Sequence, residues 1–485
     1  MQAKLIIKDE VNVKIEGLNL ADRKTLSNRF KYEIPGARYQ PSVRLGRWDG
    51  KVSFFQLGGS TYINLLPEIL SYLDSEGYDI ELEDTRDYRT TFEFDLVKED
   101  LFAEYSWPER HPRAGEPILL RDYQIPLVNN FLQNPQSVQE IATGAGKTLM
   151  TAALSASVQS YGRSIVIVPN KSLVTQTEED YGNVGLDVGV YFGDRKEYNR
   201  QHTICTWQSL NNLLKETQNG TAEVTIGEFI EGVVCVIVDE VHMAKADALK
   251  TLLTGIFARI PIRWGLTGTI PKEQYAYQAI YCGIGNLVGR LAASDLQDAG
   301  HLAQCHVNVL QLVDYVEYKN YQSELKYLVE TDARLDYIAQ MILRIGESGN
   351  TLALVDRVAC GRELVKKLGD RAVFVSGATK AKDRKEEYDE VAISDDKIIV
   401  ATYGVAAVGI NIPRIFNLVL LEPGKSFTRV IQSIGRGIRK AEDKDFVQIW
   451  DVTSTCKFSK RHLTQRKTFY REAKYPFTIE KVEWQ

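Results

Sequence analysis

The chain has 485 residues, which is too long for a single hydrophobic core, so we expect three units of ordinary domain size. Hydrophobic residues make up 44% and charged residues 25%, a composition that excludes a largely disordered chain. The first apolar run is broken by charges every few residues, which excludes a signal peptide and a membrane span there. We therefore expect a cytoplasmic protein with no membrane partner. The six cysteines lie far apart and form no C-x-x-C pair, so buried free thiols are expected.

The first 112 residues mix strand and helix patterns and predict a small α+β domain. The stretch Arg23–Lys51 holds eight Lys and Arg against two acidic residues, although the net charge of the whole chain is −5. This local excess indicates either contact with nucleic-acid phosphates or a solvated face. The predicted DNA contacts in this domain are Arg38, Arg44, Arg47 and Lys51. Three prolines within 107–117 predict a linker after the domain.

Aromatic residues in and beside this basic stretch divide into two groups. Tyr39 and Trp48 are candidates for contact with a sugar or an exposed base, whereas Phe54 and Phe55 are expected in the core. A second basic cluster, Lys457–Lys474, has seven Lys and Arg against one Glu. It also indicates either a surface that follows phosphates or a solvated face.

From residue 113 onward, short apolar runs alternate with helix-period segments, which is the pattern of parallel sheets with crossover helices. We predict two tandem α/β domains, residues 113–290 and 291–485, joined within the Gly- and Ala-rich segment 281–303. An amphipathic helix around 335–345 precedes the second series of strands. The predicted strands are 138–142, 164–168, 203–206, 233–238 and 263–267, followed by 351–355, 372–375, 397–401, 417–421 and 446–452.

The segment ATGAGKT, residues 142–148, has the composition of a phosphate-binding loop. Such a loop needs glycines that bring backbone N–H groups close to phosphate, a lysine for charge and a hydroxyl for Mg²⁺. Gly144 and Gly146 meet the first need, Lys147 the second and Thr148 the third. Ile141 stands where the strict pattern has its first glycine, so this loop alone leaves coincidence open.

A buried-strand pattern that ends in two carboxylates supports the same interpretation. The run 233–238 is followed by Asp239 and Glu240, at the strand end where parallel sheets bind ligands. We predict that Asp239 contributes to the Mg²⁺ shell and that Glu240 orients and deprotonates the attacking water. A solvated turn is the alternative, and the loop about ninety residues upstream makes it less favoured.

Taken in chain order, these motifs resemble those of superfamily two helicases and translocases over residues 118–440. LRDYQ resembles the adenine-recognition motif, ATGAGKT motif I, VPNKSL motif Ia, TWQSL its companion, DEVH motif II and LTGT motif III. In the second α/β domain, LVDR, ATYGVAAVGINIP and QSIGRGIRK resemble motifs IV, V and VI. The resemblance implies two RecA-like domains that bind ATP and Mg²⁺.

The resemblance also assigns roles to individual residues of this chain. Catalytic roles fall to Lys147, Asp239, Glu240, Gln432, Arg436 and Arg439; metal binding to Thr148 and Asp239; nucleotide binding to Gln124, Thr143, Gly144, Ala145, Gly146, Lys147, Thr148 and Leu149; coupling to His242, Thr267, Thr269 and Gly409; DNA contact to Asn170, Lys171, Thr206, Trp207 and Thr402.

Motif VI has a physical basis of its own, because Gln432, Arg436 and Arg439 recur at a spacing that suits one side of a helix. Brought opposite Lys147, the two arginines would stabilise charge on the transferring phosphoryl group, an effect of about 10³ to 10⁵ in rate. An arginine pair on a solvated helix is the alternative. Hydrolysis would then require the two domains to close.

The chain departs from common members of the family at several positions. Asn411 stands where many relatives have aspartate in motif V, which leaves the coupling of that motif to motif VI open. DEVH in place of DEAD, TGT in place of SAT and Gln432 in place of histidine argue against a DEAD-box RNA helicase and favour the DNA-acting branches.

The overall arrangement resembles phage recombination helicases, which implies ATP-dependent branch migration and unwinding of Holliday junctions, forks, D-loops and R-loops. Expected partners are single-stranded, duplex and branched DNA, with RNA in RNA–DNA hybrids, and a monomeric protein in the host cytoplasm if the gene is phage-encoded. Two other functions stay open: a duplex translocase that does not separate strands, and an ATP-gated clamp that binds junctions. Residues alone support an ATPase that moves on a strand and is stimulated by nucleic acid.

Overall fold

The computed structural model describes residues 1–86, 91–109, 111, 113–243, 247–377, 379, 390–391, 393–409, 412, 414–441 and 443–484. Two compact units make up the chain: Met1–Ile141 with Lys147–Arg290, and Ala142–Gly146 with Leu291–Gln485. In the described part of the chain, no helix is both long enough and apolar enough to cross a bilayer.

The N-terminal part of the first unit is a small α+β domain. Its four-stranded sheet has the order β5-β2-β1-β6, with β1 antiparallel to β2 and parallel to β6, and β3 and β4 form a separate hairpin. Alternate residues of β1 point into a core that also contains Phe54 and Phe55, as predicted. The elements are β1 (Gln2–Ile7), β2 (Asn12–Glu16), α1 (Leu20–Arg29), β3 (Lys31–Glu33), α2 (Pro41–Arg44), β4 (Lys51–Ser53), β5 (Ser60–Tyr62), α3 (Leu66–Ser75) and β6 (Asp79–Asp84).

The rest of the first unit is an α/β domain with a mainly parallel sheet, in which β10 pairs antiparallel with β9. Its sheet has the order β10-β9-β11-β8-β12-β13-β7-β14, and β12, the strand before Glu240, lies between β8 and β13 with parallel pairing on both sides. The elements are α4 (Gln124–Gln133), β7 (Gln136–Ile141), α5 (Lys147–Val158), β8 (Arg163–Val168), α6 (Lys171–Asn183), β9 (Val188–Phe192), β10 (Arg195–Lys196), β11 (His202–Thr206), α7 (Trp207–Gln218), α8 (Ile226–Phe229), β12 (Val233–Asp239), α9 (Asp247–Thr254), β13 (Ile262–Thr267), α10 (Gln274–Gly283) and β14 (Asn286–Leu291).

The N-terminal domain packs directly on helix α10 of this α/β domain. Asn64 and Tyr281 exchange two hydrogen bonds of 2.7 Å, each from a side chain to the other residue's backbone carbonyl. Cys282 belongs to the hydrophobic core of the N-terminal domain. Asn12 also donates from its amide to the carbonyl of Thr254, at 2.8 Å. The first part of the predicted joint 281–303 therefore holds the N-terminal domain in place.

The segment 107–117, the predicted linker, has its two ends held close together. Ser106 and Pro117 form an isolated antiparallel bridge, and the amide of Trp107 donates to the carbonyl of Glu116 at 2.9 Å. The rings of Trp107 and His111 stack at 3.9 Å within the loop. Proline removes a backbone donor and fixes φ, which a tight loop tolerates as well as an extended spacer does.

The second unit is a parallel α/β domain with the strand order β17-β18-β16-β19-β20-β15-β21. The six pairings between neighbouring strands of this sheet are all parallel. The elements are α11 (Ala293–Asp298), β15 (Gln304–Leu312), α12 (Tyr321–Glu330), α13 (Asp332–Ile345), β16 (Thr351–Val355), α14 (Val358–Leu368), β17 (Ala372–Val375), β18 (Ile398–Thr402), α15 (Tyr403–Gly409), β19 (Asn417–Leu421), α16 (Phe427–Gly437), β20 (Phe446–Ser454), α17 (Lys457–Glu472) and β21 (Phe477–Val482).

The predicted fold class is confirmed: two α/β domains with parallel sheets follow a small α+β domain. Each of the ten predicted strands is present, with ends that agree to within two residues. The amphipathic helix predicted around 335–345 is α13. All six cysteines are free and buried, as expected. The exact bounds of the three domains remain a prediction.

Candidate active site

The loop Ala142–Gly146 connects β7 to α5. Gly144 and Gly146 have φ of 92° and 76°, in the left-handed region that residues with a Cβ rarely adopt. Helix α5 begins at Lys147, immediately after the loop. The segment therefore has the two features that an anion-binding loop needs, which are glycines at strongly bent positions and a helix N-terminus directly after them.

Lys147 forms an ion pair with Glu240 in the first unit. Its Nζ lies 3.2 Å from Oε1 of Glu240, and each side chain is only 10% exposed. The same ammonium donates to the carbonyl of Ile141 at 3.4 Å. The two groups that sequence reasoning assigned to phosphate charge and to water activation therefore meet in one nearly buried contact.

The backbone of Glu240 is strained at the end of β12. Its φ is 51°, which is uncommon for a residue with a side chain and costs on the order of 1 kcal/mol. Its amide donates to Oδ1 of Asp239 at 2.9 Å, and its Oε2 accepts from the amide of Gly268 at 3.3 Å. Such strain is concentrated at functional sites in proteins, because surrounding contacts must hold the residue in place.

A buried series of polar contacts runs from Glu240 to the end of β13. Nδ1 of His242 lies 3.4 Å from Oε2 of Glu240 and 2.6 Å from Oγ1 of Thr267. The Thr267 hydroxyl donates to the carbonyl of Thr269 at 2.8 Å and accepts from the Thr269 amide at 3.2 Å. Because this hydroxyl has one proton and gives it to Thr269, the geometry assigns the shared proton to Nδ1 of His242. The three predicted coupling residues His242, Thr267 and Thr269 are thus linked by hydrogen bonds.

Thr148 and Asp239 are the predicted Mg²⁺ ligands. A hydroxyl and a carboxylate are hard oxygen donors of the kind Mg²⁺ prefers, and Mg²⁺ usually takes its remaining ligands from water and substrate phosphates. Thr148 lies half-buried on the first turn of α5, and Asp239 is the last residue of β12. No group of three or more His, Cys, Asp or Glu suited to a metal occurs among the described residues. A site that relies on one carboxylate and one hydroxyl is compatible with that result.

Gln124, the predicted adenine contact, is the first residue of α4 and is buried. Its Oε1 accepts a hydrogen bond from the amide of Arg121 at 2.9 Å, so a local contact orients the side-chain amide. Its role toward a base remains a prediction.

The predicted DNA contacts of the first α/β domain lie at the starts of α6 and α7, which follow the parallel strands β8 and β11. Asn170 caps α6 by accepting from the amide of Leu173, and Thr206 caps α7 by accepting from the amide of Ser209. Lys171 is exposed, whereas Trp207 is half-buried against the core. Thr206 is buried, so its first role is to cap the helix, and of these four residues Lys171 is the most accessible to a phosphate.

The predicted basic surface of the N-terminal domain is present. All four cations assigned to DNA, Arg38, Arg44, Arg47 and Lys51, are exposed. Tyr39 is 70% exposed, its hydroxyl accepts from Nη2 of Arg38 at 2.9 Å, and the Arg38 guanidinium lies 4.8 Å from its ring centroid. Trp48 is half-buried and donates from Nε1 to the carbonyl of Lys51. Tyr39 is therefore the more accessible of the two aromatic candidates.

Motif VI lies on α16 in the second unit. Ser426 caps this helix, and Arg429 within it pairs with Asp356 of motif IV at 2.7 Å. The side chains of Gln432 and Arg436 lie outside the described part of the structure, as does Asn411 of motif V. Arg439 follows the helix, and its carbonyl accepts from Nζ of Lys444 at 2.6 Å. Thr402 ends β18 and Gly409 ends α15.

Sequence reasoning missed a group of buried charges in the second unit. Arg334 contacts Glu422 at 3.1 Å and Asp314 at 3.3 Å, with all three side chains almost wholly buried. Arg466 forms a two-pronged pair with Asp451, at 2.8 and 2.9 Å. Burial raises the pKa of Glu422 to about 7 despite the nearby arginines. The available signal was a charged residue inside an apolar strand, such as Asp451 in FVQIWDVTS.

Two family models match the chain. Residues 117–272 match the type III restriction enzyme res subunit model, and residues 333–441 match the helicase conserved C-terminal domain model. Together they cover more than half of the chain, including the loop, the acidic pair and α16. The chain is a superfamily two helicase. It therefore belongs to a family of ATP-hydrolysing motors, as the ordered motifs predicted.

Among its relatives, this helicase is 24% identical to the ATP-dependent DNA helicase uvsW of Enterobacteria phage T4 over 473 residues, 92% of this chain and 89% of that protein. It is 23% identical to the DNA 3'-5' helicase XPB of Kineococcus radiotolerans over 378 residues, 76% of this chain and 65% of XPB.

Two solved structures share its fold. The type ISP restriction-modification enzyme LlaBIII bound to DNA has a TM-score of 0.55 at 15% identity, covering 86% of this chain and 36% of that one. Dbp5 of S. cerevisiae bound to RNA and ADP BeF3 has a TM-score of 0.52 at 16% identity, covering 75% and 90%. At these identities the likeness shows the fold alone.

Proposed function

We propose that this helicase is a DNA-dependent ATPase that translocates on DNA and unwinds and branch-migrates branched intermediates: Holliday junctions, forks, D-loops and R-loops. The observation that supports the ATPase activity is the buried contact between Lys147 and Glu240, which His242 connects to Thr267. DNA as the substrate is supported by the likeness to the phage T4 and Kineococcus relatives, which are DNA helicases.

The proposed cycle begins when the Lys147 ammonium leaves Glu240 and binds the β- and γ-phosphates of ATP. Glu240, released from that contact, orients the attacking water and accepts its proton. Thr148 and Asp239 would hold Mg²⁺, which neutralises charge on the phosphates when bound. The strained backbone and the bond from Gly268 keep the Glu240 carboxylate in position during these steps.

Arg436 and Arg439 complete the proposed ATPase. When the two α/β domains close, these arginines would stabilise the transferring phosphoryl group, an effect of roughly 4 to 7 kcal/mol. As the domains close and reopen, the residues of one domain that contact the DNA strand would move relative to those of the other domain. Repeated, this movement is translocation along the strand. Gly409 and the hydrogen-bonded group of His242, Thr267 and Thr269 are proposed to couple ATP hydrolysis to contact with the DNA strand.

The N-terminal domain is the proposed grip on duplex or junction DNA. Arg44 and Arg47 are exposed, and the domain is packed on α10 of the first α/β domain, so force would pass directly between them. Changing Arg44 and Arg47 to Glu should weaken junction binding about tenfold or more and leave basal ATPase unchanged. Unchanged junction affinity would contradict this grip.

The test of the proposed function compares ATP hydrolysis with single-stranded DNA, duplex, a four-way junction and RNA at one salt concentration. We expect multiple-turnover hydrolysis that DNA stimulates, with the largest effect from the junction and little from RNA alone. Strand displacement on a labelled four-way junction is measured beside it. ATPase that no DNA stimulates would contradict the proposal.

The same assays, with triplex displacement added, distinguish two alternative functions. A duplex translocase would displace a triplex-forming strand from duplex DNA but release no strand from the junction. A static clamp would bind junctions in the presence of ATP without DNA-stimulated multiple turnover. We further propose that the protein acts as a monomer and takes RNA only within RNA–DNA hybrids.

A further inference from the structure

Helix α17 has one buried face and one strongly basic face. Its buried residues are Ser459, Leu463, Arg466 and Tyr470, which recur every three or four positions. The opposite face, together with Lys474 two residues after the helix, carries six cations, five exposed and Lys467 half-buried: Lys457, Lys460, Arg461, Lys467, Arg471 and Lys474. At 1.5 Å per residue, these cations extend over about 25 Å.

The buried face of α17 is fixed at both ends. At its start, the amides of Phe458 and Ser459 donate to the Glu324 carboxylate at 3.0 and 2.8 Å. Further along, Arg466 and the Tyr470 hydroxyl both bind Asp451 of β20, the latter at 2.7 Å. The exposed face is therefore presented by a rigid helix and not by a mobile tail.

The six cations of the basic face have no carboxylate partner among the residues that the structure describes. The guanidinium of Arg471 lies 5.6 Å from the ring centroid of Phe477, an aromatic contact and not an ion pair. Other cations of the same unit do have carboxylate partners: Lys367, for example, binds both Asp332 and Asp336 at 2.6 Å. In a chain of net charge −5, six cations clustered without a described carboxylate partner favour an anionic partner outside the chain.

We propose that the basic face of α17 binds the phosphate backbone of a polynucleotide. This inference rests on the proposed function and adds a further DNA-contacting surface to it. The span of about 25 Å corresponds to roughly seven phosphates along one strand of duplex at 3.4 Å each. An anionic membrane is disfavoured because interfacial helices insert an apolar face, and here the apolar face is buried in the protein.

The anchoring of α17 connects this surface to motif VI. Nη1 of Arg466 donates at 2.7 Å to the carbonyl of Gly424, two residues before Ser426, the cap of α16. A polynucleotide on the exposed face of α17 would thus contact a helix whose buried face is hydrogen-bonded to the turn before α16. DNA bound there is placed to influence the helix that carries Gln432 and Arg436.

The test neutralises two adjacent cations, with Lys460→Gln and Arg461→Gln in one variant. The matched control is Arg344→Gln with Lys366→Gln, which removes the same charge from other helices of the same unit. DNA affinity is measured by anisotropy for a duplex of about 20 base pairs over about 50 to 300 mM salt. Thermal melting verifies that both variants fold, and basal ATPase should equal that of the wild type.

We expect the test variant to bind about tenfold or more weakly near 0.1 M salt, and its log–log salt slope to decrease by about 1.8. The control should change neither quantity. Equal affinity and slope in all three proteins would overturn the proposal, as would binding to phosphatidylserine vesicles in preference to DNA. A wild type that DNA neither binds nor stimulates would refute the proposed function instead, so the two failures are distinguishable.

Discussion

Glu240→Gln is the sharpest test of the proposed ATPase. Glutamine keeps the shape of the side chain, and its oxygen can still accept from the amide of Gly268. It cannot accept the proton of the attacking water, and loss of a general base lowers a rate by about 10² to 10⁴. At 1.36 kcal/mol per tenfold change, the barrier to hydrolysis should rise by about 3 to 5 kcal/mol.

The same variant should bind ATP at least as well as the wild type. In the structure the Lys147 ammonium is paired with Oε1 of Glu240 at 3.2 Å, in a contact only 10% exposed on each side. This pair must separate before Lys147 can bind phosphate. A neutral amide removes that competition, so affinity for ATP should be unchanged or higher.

Single-turnover hydrolysis with saturating DNA and equilibrium binding of a fluorescent ATP analogue measure the two effects separately. Glu231→Gln is the matched control, since Glu231 is an exposed carboxylate just before the opposite end of β12. Hydrolysis by Glu240→Gln within about tenfold of the wild type would refute its assignment as general base. Loss of ATP binding would refute the competition between Glu240 and phosphate for Lys147.

Three further predictions follow from buried contacts. Thr267→Val keeps the volume but removes the hydroxyl that His242 contacts, so DNA-stimulated hydrolysis should stay within about threefold while unwinding falls about tenfold or more. Asp451→Asn leaves Arg466 as a buried unpaired charge and should destabilise the second unit by about 3 to 5 kcal/mol in urea unfolding. Burial lowers the pKa of Lys444 to about 7 from 10.5, so between these values the unfolded chain binds a proton that the folded chain does not. Stability of the second unit should therefore rise with pH across that window, and Lys444→Gln should flatten the rise.

Each of these predictions has an outcome that contradicts it. Equal losses of hydrolysis and unwinding in Thr267→Val would mean that the hydroxyl serves the ATPase itself. A cost below about 1 kcal/mol for Asp451→Asn would mean that water or rearrangement compensates Arg466. An unaltered pH profile in Lys444→Gln would assign the pH dependence to another group.

Ten strands of the two α/β domains could be predicted from the sequence, because most of these strands are buried along their length. Runs such as VVCVIV and TLALV are short, continuous apolar stretches, which are typical of buried strands in parallel sheets. Strand β15, QCHVNVLQL, was not predicted, since its polar residues alternate with apolar ones and its neighbours β20 and β21 come much later in the chain. β-sheet position depends on such distant pairing, which local pattern does not encode.

Some features of the candidate site could also be predicted from the sequence, and others could not. Loop glycines, lysine and paired acids are contiguous motifs whose chemistry can be inferred from residue type and spacing. The meeting of Lys147 with Glu240, and of His242 with Thr267, could not be inferred, because each pair joins the ends of different strands. Likewise the bridge between Ser106 and Pro117, at the ends of the predicted linker, could not be inferred, since proline content limits φ without fixing the direction of the chain.

The sequence by itself determined the fold class, the order of the motifs and the sign of charge on two surfaces, because periodicity, composition and spacing are local properties. Only the tertiary structure decided that Arg466 of the basic segment is a buried anchor while its neighbours are exposed, and that the N-terminal domain is packed on α10. The reason is physical: burial and ion pairing depend on which distant side chains share a volume, and packing alone fixes that.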